Sequence, residues 1–169
     1  LTTYFNDGNR KPQRSKYNNA HAYLSAPYGI YKTSDGYIAI AMTPLPQLGE
    51  LLNLDSIKSL NDQKEWFTKR DDIKKSIGDW LETQTTKHWL NILEPADIWC
   101  AEVLDWEKML KHEGFKILDM IQSIKRDDGL NIETLRCPIR IDGQIFKSEI
   151  AAPKIGQDNE KIIKEFGIE

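Results

Sequence analysis

The chain has 169 residues, 40% of them hydrophobic and 29% charged, the make-up of a soluble globular protein whose core needs neither disulfides nor metals. Its 26 acidic and 23 basic side chains give a net charge of −3, which argues against a general nucleic-acid binder, since that needs a basic surplus to displace counterions. No apolar run reaches bilayer length and no signal peptide opens the chain, so no membrane partner is expected.

Residues 1–25 are polar. Arg10, Lys11, Arg14 and Lys16 are interleaved with Pro12 and asparagines, with no helical or alternating pattern, so this part reads as an extended arm or linker. Its cations suit either a solvated arm or a phosphate contact. The run 28–42, YGIYKTSDGYIAIAM, carries the clearest local signal. Two β-rich stretches flank Asp35-Gly36, a pair that suits a tight hairpin because both positions tolerate positive φ. Pro44 and Pro46 then end the sheet pattern.

A helical stretch follows, capped by Asn61 or Asp62, with Glu65 placed to complete a capping box. Trp66, Ile73, Ile77, Trp80 and Leu81 recur at helical steps and form a stripe facing a core. Thr85 or Thr86 caps a second short helix that buries Trp89, Leu90 and Leu93 and stops at Pro95. Ala101–Leu104 reads as a strand, Asp105 as the cap of a helix carrying Trp106, Met109 and Leu110, and Gly114 as its end. The arm before Asp128-Gly129 fits helix or strand, and the turn decides for strand. Asp158 or Asn159 caps a final amphipathic helix with Ile162, Ile163 and Phe166, ended by Gly167. The expected organisation is an arm over 1–25, a hairpin and helices over 26–94, an α/β continuation over 95–150 and a C-terminal helix segment over 151–169. The fold class is α+β: a β-hairpin, a small helical cluster, a second β-rich part and a C-terminal helix.

Chemistry-bearing motifs are sparse. His21, His88 and His112 are isolated, and neither HExxH nor CxxC occurs, so no metal site is expected. Glycine-rich phosphate loops and the GxSxG elbow are missing. Cys100 has no local base and reads as a structural thiol. It and Cys137 read as reduced cysteines of a cytoplasmic protein. Asp35 and Asp128 are assigned to turns, and Asp62, Asp105 and Asp158 to caps. Asp97 has no evident local role. The five tryptophans read as core packing.

The order of segments says more than any one motif. PYGIYKTSDGYIAIAM, then Arg70 at the head of a helix, then DIWCAEVLDWEKMLKHEGF, then CPIRIDGQIFKSEIAAPKIGQDNEKIIKEFGI resembles the C-terminal part of family III CoA-transferases, the formyl-CoA and carnitine CoA-transferase group, in order and spacing. The resemblance implies a parent enzyme that moves CoA between carboxylic acids, with acyl-CoA and a carboxylic acid as substrates, no covalently bound cofactor, and a homodimer. It also implies that the nucleophilic aspartate belongs to an N-terminal domain ahead of anything matched here. No residue of this chain is therefore expected to be catalytic, and the chain alone is expected to be inactive. Opening on Leu1 rather than Met agrees with an excised or cut piece. A non-catalytic binding module, or one chain of a split CoA-transferase, are the rival readings. Formyl-CoA transferases place a glycine-rich loop over the active site just before the Asp-Gly hairpin. The stretch here, KYNNAHAYLSAPY, has no glycine, and Asn18, Asn19 and His21 become the candidate substrate loop. Trp99 and Glu102 stand where the family often has proline.

Overall fold

A computed structural model describes residues 1–17, 19–126 and 128–167. It divides into two units, Leu1–Asp105 and Trp106–Glu169. None of its helices is long and apolar enough to cross a membrane.

The first unit is built on a three-stranded antiparallel sheet. After a short helix α1 (Thr2–Asn6), strand β1 (Gly29–Lys32) pairs with β2 (Tyr37–Ile40), Gly29 opposite Ile40 and Lys32 opposite Tyr37. Five helices follow: α2 (Leu45–Leu52), α3 (Asp55–Lys58), α4 (Gln63–Thr68), α5 (Arg70–Leu81) and α6 (Thr86–Leu93). Strand β3 (Cys100–Glu102) then joins β2 on its other side. Side chains alternate across a strand, so one sheet face carries Tyr31, Ile38 and Ile40 into the core. There they meet Leu45, Leu48 and Leu52 of α2, Ile73, Ile77 and Leu81 of α5, and Trp89 and Leu93 of α6. Burying each such Ile or Leu contributes about 1.5–3 kcal/mol. The opposite face, Ile30 beside Ala39 beside Ala101, carries no helix residue of that core.

Helix ends here are closed by side chains. The Asp62 carboxylate accepts from the Lys64 amide and the Thr85 hydroxyl from the His88 amide, as their cap positions predict. Glu65 pairs with Lys69 at 2.6 Å instead of completing a box, and Asp158 makes no side-chain cap bond. Three indole N–H groups serve backbone carbonyls: Trp80 donates to Leu52 at the end of α2, Trp89 to Leu81 at the end of α5, and Trp66 to Leu60.

The Asp35-Gly36 hairpin forms, but not for the expected reason: among the described residues with positive φ, neither Asp35 nor Gly36 occurs. The turn is fixed from outside. The Asp35 carboxylate accepts from the Thr86 amide at 2.8 Å and from the Thr86 and Thr33 hydroxyls at 3.0 and 3.2 Å, so it ties the hairpin to the first residue of α6. The Thr86 amide above all holds the Asp35 carboxyl below the usual carboxylate range. Gly36 is needed for space, since a Cβ there would sit 3.3 Å from the Thr86 hydroxyl.

Other expectations also change. Residues 2–6 of the arm are helical, a stretch too short to show a periodic stripe. Pro46 lies in the first turn of α2, where its missing N–H is not needed, so the proline that seemed only to end a sheet also starts a helix. Trp99 and Trp106 are 71% and 79% exposed, not core residues.

The second unit contains α7 (Trp106–Lys111), α8 (Glu113–Leu118), the hairpin β4 (Ile121–Lys125) with β5 (Asn131–Leu135), the short hairpin β6 (Arg140–Ile141) with β7 (Gln144–Ile145), and α9 (Asn159–Phe166). Gly114 does not end a helix but lies inside α8, its amide bonded to His112 Nδ1. The arm assigned wholly to strand divides, with helix to Leu118, a left-handed Asp119, then β4. Gly129 has φ +86°, and both Asp142 and Gly143 are left-handed, so the two-residue turn expected at Asp35-Gly36 is found at Asp142-Gly143 instead. Arg136 organises this unit. Its buried guanidinium donates to the carbonyls of Leu118, Asp119 and Cys137, closing the end of α8.

Two outcomes test this account. Because the native Asp35 carboxyl titrates below its ordinary value of 3.8, its contribution is complete above that value and is lost as pH falls through the lowered one. Asp35→Asn is therefore expected to lower the urea midpoint at neutral pH, and the gap from wild type should close in acid; a gap independent of pH would refute the charged tie. Gly36→Val is expected to destabilise by about 1 kcal/mol through crowding of Thr86, and an unchanged midpoint would show that Thr86 yields freely.

Candidate functional site

The head of α5 grips the N-terminal arm. Arg70 is buried, its guanidinium 4.2 Å from the Phe67 ring centre, and it donates to the carbonyls of Phe67 and Gln13. The Asp71 carboxylate accepts from the Ser15 hydroxyl at 2.6 Å and the Lys16 amide at 3.2 Å, and the Ser15 bond leads in holding that carboxyl below the usual range. Lys74, 2% exposed, donates to the Asn19 side-chain oxygen at 2.9 Å. Burial, reinforced by the Arg70 charge, pushes the Lys74 ammonium downward. The other end of the Asn19 amide donates to the Ile30 carbonyl at 3.1 Å, and the Ile30 amide returns a bond to the Asn19 carbonyl. The arm is thus pinned at Gln13, Ser15 and Asn19 by Arg70, Asp71 and Lys74 in turn along α5. Gly29 admits Asn19 so closely because a Cβ there would lie 3.0 Å from the Asn19 amide nitrogen.

From that anchor the chain runs between two hollows. The first, about 680 Å³, lies on the open sheet face; Ile30, Ala39 and Ala101 are in its floor, with Trp99, His21 and Tyr28 around it. The second, about 520 Å³, lies between residues 23–27, Met42 to Pro44, and Gln63, Trp66 and Phe67 of α4. A smaller hollow that includes both Met42 and Trp99 links the two sets of walls. The Ala26-Pro27 peptide is cis. His21 accepts the Tyr23 amide on Nδ1 at 3.2 Å, which puts the proton of the neutral ring on Nε2.

Of the candidate loop, Asn18 lies outside the described residues. Asn19 and His21 both line the first hollow, with Asn19 committed at both ends to protein partners. Among the described residues, no carboxylate lines either hollow. Asp35 is occupied at α6, and Asp97 is a left-handed turn residue in the small linking hollow. Cys100 is half-buried and burial pushes its thiol up, the opposite of an activated nucleophile. No group of three or more metal-ligating side chains occurs among the described residues. Sequence reasoning missed Lys74, which sits in a Lys74-Lys75 pair that looks solvated. The available signal was its position three residues before Ile77, on the buried side of α5.

Comparison with known proteins agrees with this architecture. The chain is 23% identical over 154 residues to succinate–glutarate CoA-transferase of Agrobacterium fabrum, which covers 87% of the chain and 38% of that relative. It is 25% identical over 97 residues to (R)-2-hydroxy-4-methylpentanoate CoA-transferase of Clostridioides difficile, 57% of the chain and 24% of the relative. A CAIB/BAIF family protein from Brucella suis, of known crystal structure, superposes with a TM-score of 0.61 at 25% identity, covering 97% of this chain and 43% of the other. The chain therefore spans well under half the length of these relatives. The model of CoA-transferase family III matches residues 1–159, nearly the whole chain, and on that match the chain belongs to CoA-transferase family III.

Proposed function

We propose that this chain is the C-terminal portion of a cytoplasmic acyl-CoA:carboxylate CoA-transferase, and that residues 19–28 with their flanking hollows form the wall against which the acyl group lies. The observation that carries the reading is the family match over residues 1–159 combined with hollows whose described lining residues include no carboxylate. In such a transfer a carboxylate attacks the thioester carbonyl, the carbon–sulfur bond breaks, and the CoA thiolate leaves an acyl anhydride on the enzyme. The attacking carboxylate comes from the part of the protein that the relatives have beyond this span. The chain's own residues position and enclose: Lys74 and Asn19 fix the arm against β1, and Trp99, Met42 and Phe67 exclude water.

The second unit supports the idea that more protein packs here. Its described residues bury only Gln122, Ile124 and Arg136, while Ile117, Leu118, Leu135, Ile139, Ile150 and Phe166 are exposed. A monomeric surface seldom leaves so much apolar area uncovered. The missing N-terminal domain, and a second copy in a homodimer, are the partners this reading assigns to it. The two free cysteines suit a reducing compartment.

The purified 169-residue chain is expected to show no CoA transfer between any acyl-CoA and carboxylate, and the intact gene product is expected to show it. Turnover by the chain alone would place the nucleophile inside it; an intact product inert toward every pair would end the transferase reading. In the intact enzyme, Asn19→Ala and Lys74→Met are expected to act alike, changing relative kcat/KM among acyl donors by about threefold to tenfold with CoA affinity nearly unchanged. Steady-state kinetics beside direct CoA titration reads both, and unaltered selectivity would reduce the arm to a tether.

A further inference from the structure

Resting on that reading, the charge of the walls narrows the substrate. Among the described residues, those lining the two hollows include no Asp, Glu, Lys or Arg. Two buried cations of α5 are bonded to the protein itself: Lys74 to Asn19, and Arg70 to the carbonyls of Gln13 and Phe67. The Asn19 amide is bonded at both ends. Among the described lining residues, His21 alone has a side chain able to carry positive charge, and it is exposed to water. In the first hollow a ligand meets mainly Ile30, Ala39, Ala101 and Trp99; in the second it meets Met42 and Phe67 beside the neutral polar groups of Ser25, Thr43 and Gln63.

We infer that the enzyme takes the acyl groups of apolar monocarboxylic acids, aliphatic and several carbons long, and discriminates against acyl groups that end in a second carboxylate. Volumes of about 680 and 520 Å³ are those of small-molecule pockets rather than of a site fitted to a one-carbon group. Each methylene moved from water onto such walls favours binding about fourfold. A second carboxylate taken onto these walls leaves water without finding a cation among their described residues, which is strongly disfavoured.

The test compares valeryl-CoA with glutaryl-CoA, which have equal carbon counts and differ by the terminal carboxylate. Both are donors to one fixed acceptor in the intact gene product, in the same buffer. A kcat/KM ratio of at least about tenfold in favour of valeryl-CoA is expected. Equal use, or preference for glutaryl-CoA, overturns the inference while leaving the transferase reading intact; no transfer from either donor or from any other acyl-CoA removes both. Ile30→Lys places a cation in the sheet hollow and Met42→Lys places one beside α4. The variant whose hollow holds the acyl group is expected to shift the ratio toward glutaryl-CoA by about tenfold. If both variants fold, judged by thermal melting, and neither moves the ratio, the acyl group lies against neither hollow and the inference fails.

Discussion

A buried ammonium facing a neutral amide sets the frame of the first unit. Lys74 lies among the inward side chains of α5, yet its described hydrogen-bond partner is the oxygen of Asn19 and not a carboxylate. Desolvating a charge for one neutral acceptor is unfavourable. An aliphatic residue at 74 would avoid that, but it would leave the Asn19 oxygen without its donor and the arm without its last pin. The nearby Arg70 and Asp71 bonds to residues 13–16 act in the same sense. Together they convert a polar segment with no periodicity of its own into an ordered lead-in to β1.

That dependence explains what the amino-acid sequence disclosed. The hairpin, the Ile73–Ile77–Leu81 stripe and the Asp62 and Thr85 caps are all local patterns, and all were legible. The mixed α+β class followed from them. The reason for the hairpin was not legible, because the group that fixes Asp35 stands fifty-one residues away at Thr86. Trp99 and Trp106 misled for a related reason: an apolar residue reads as core from sequence alone, whereas these two are turned to the surface. Asn19 and His21 of the candidate loop line one hollow, and the occupation of Asn19 by Lys74 and Ile30 is a tertiary fact with no short-range signature.

The two units differ in how they are held. The first has a continuous core running from β2 through α2, α5 and α6. The second relies on polar ties: Arg136 on three carbonyls, Lys147 on Asp119 at 2.7 Å, and the Ser148 amide on Gln122 at 2.9 Å. Its hairpin alternates on β4 but is exposed along all of β5. A two-stranded ribbon with one unburied strand is marginal in water without something packed on it. The exposed apolar residues of this unit fit a segment of a larger family III protein.

The contrast between the two Asp-Gly turns bears on where the chain tolerates change. Thr33 to Gly36 is gripped by α6, so an extra residue there would pull Asp35 off Thr86 and expose the first amide of a helix. Asp142-Gly143 has open space around the glycine, and its turn joins two strands of two residues each. Sites of that kind accept inserted sequence readily. An epitope or fluorophore placed between Asp142 and Gly143 would report on the protein without disturbing the first sheet, whereas the same cargo at the first hairpin would dismantle it.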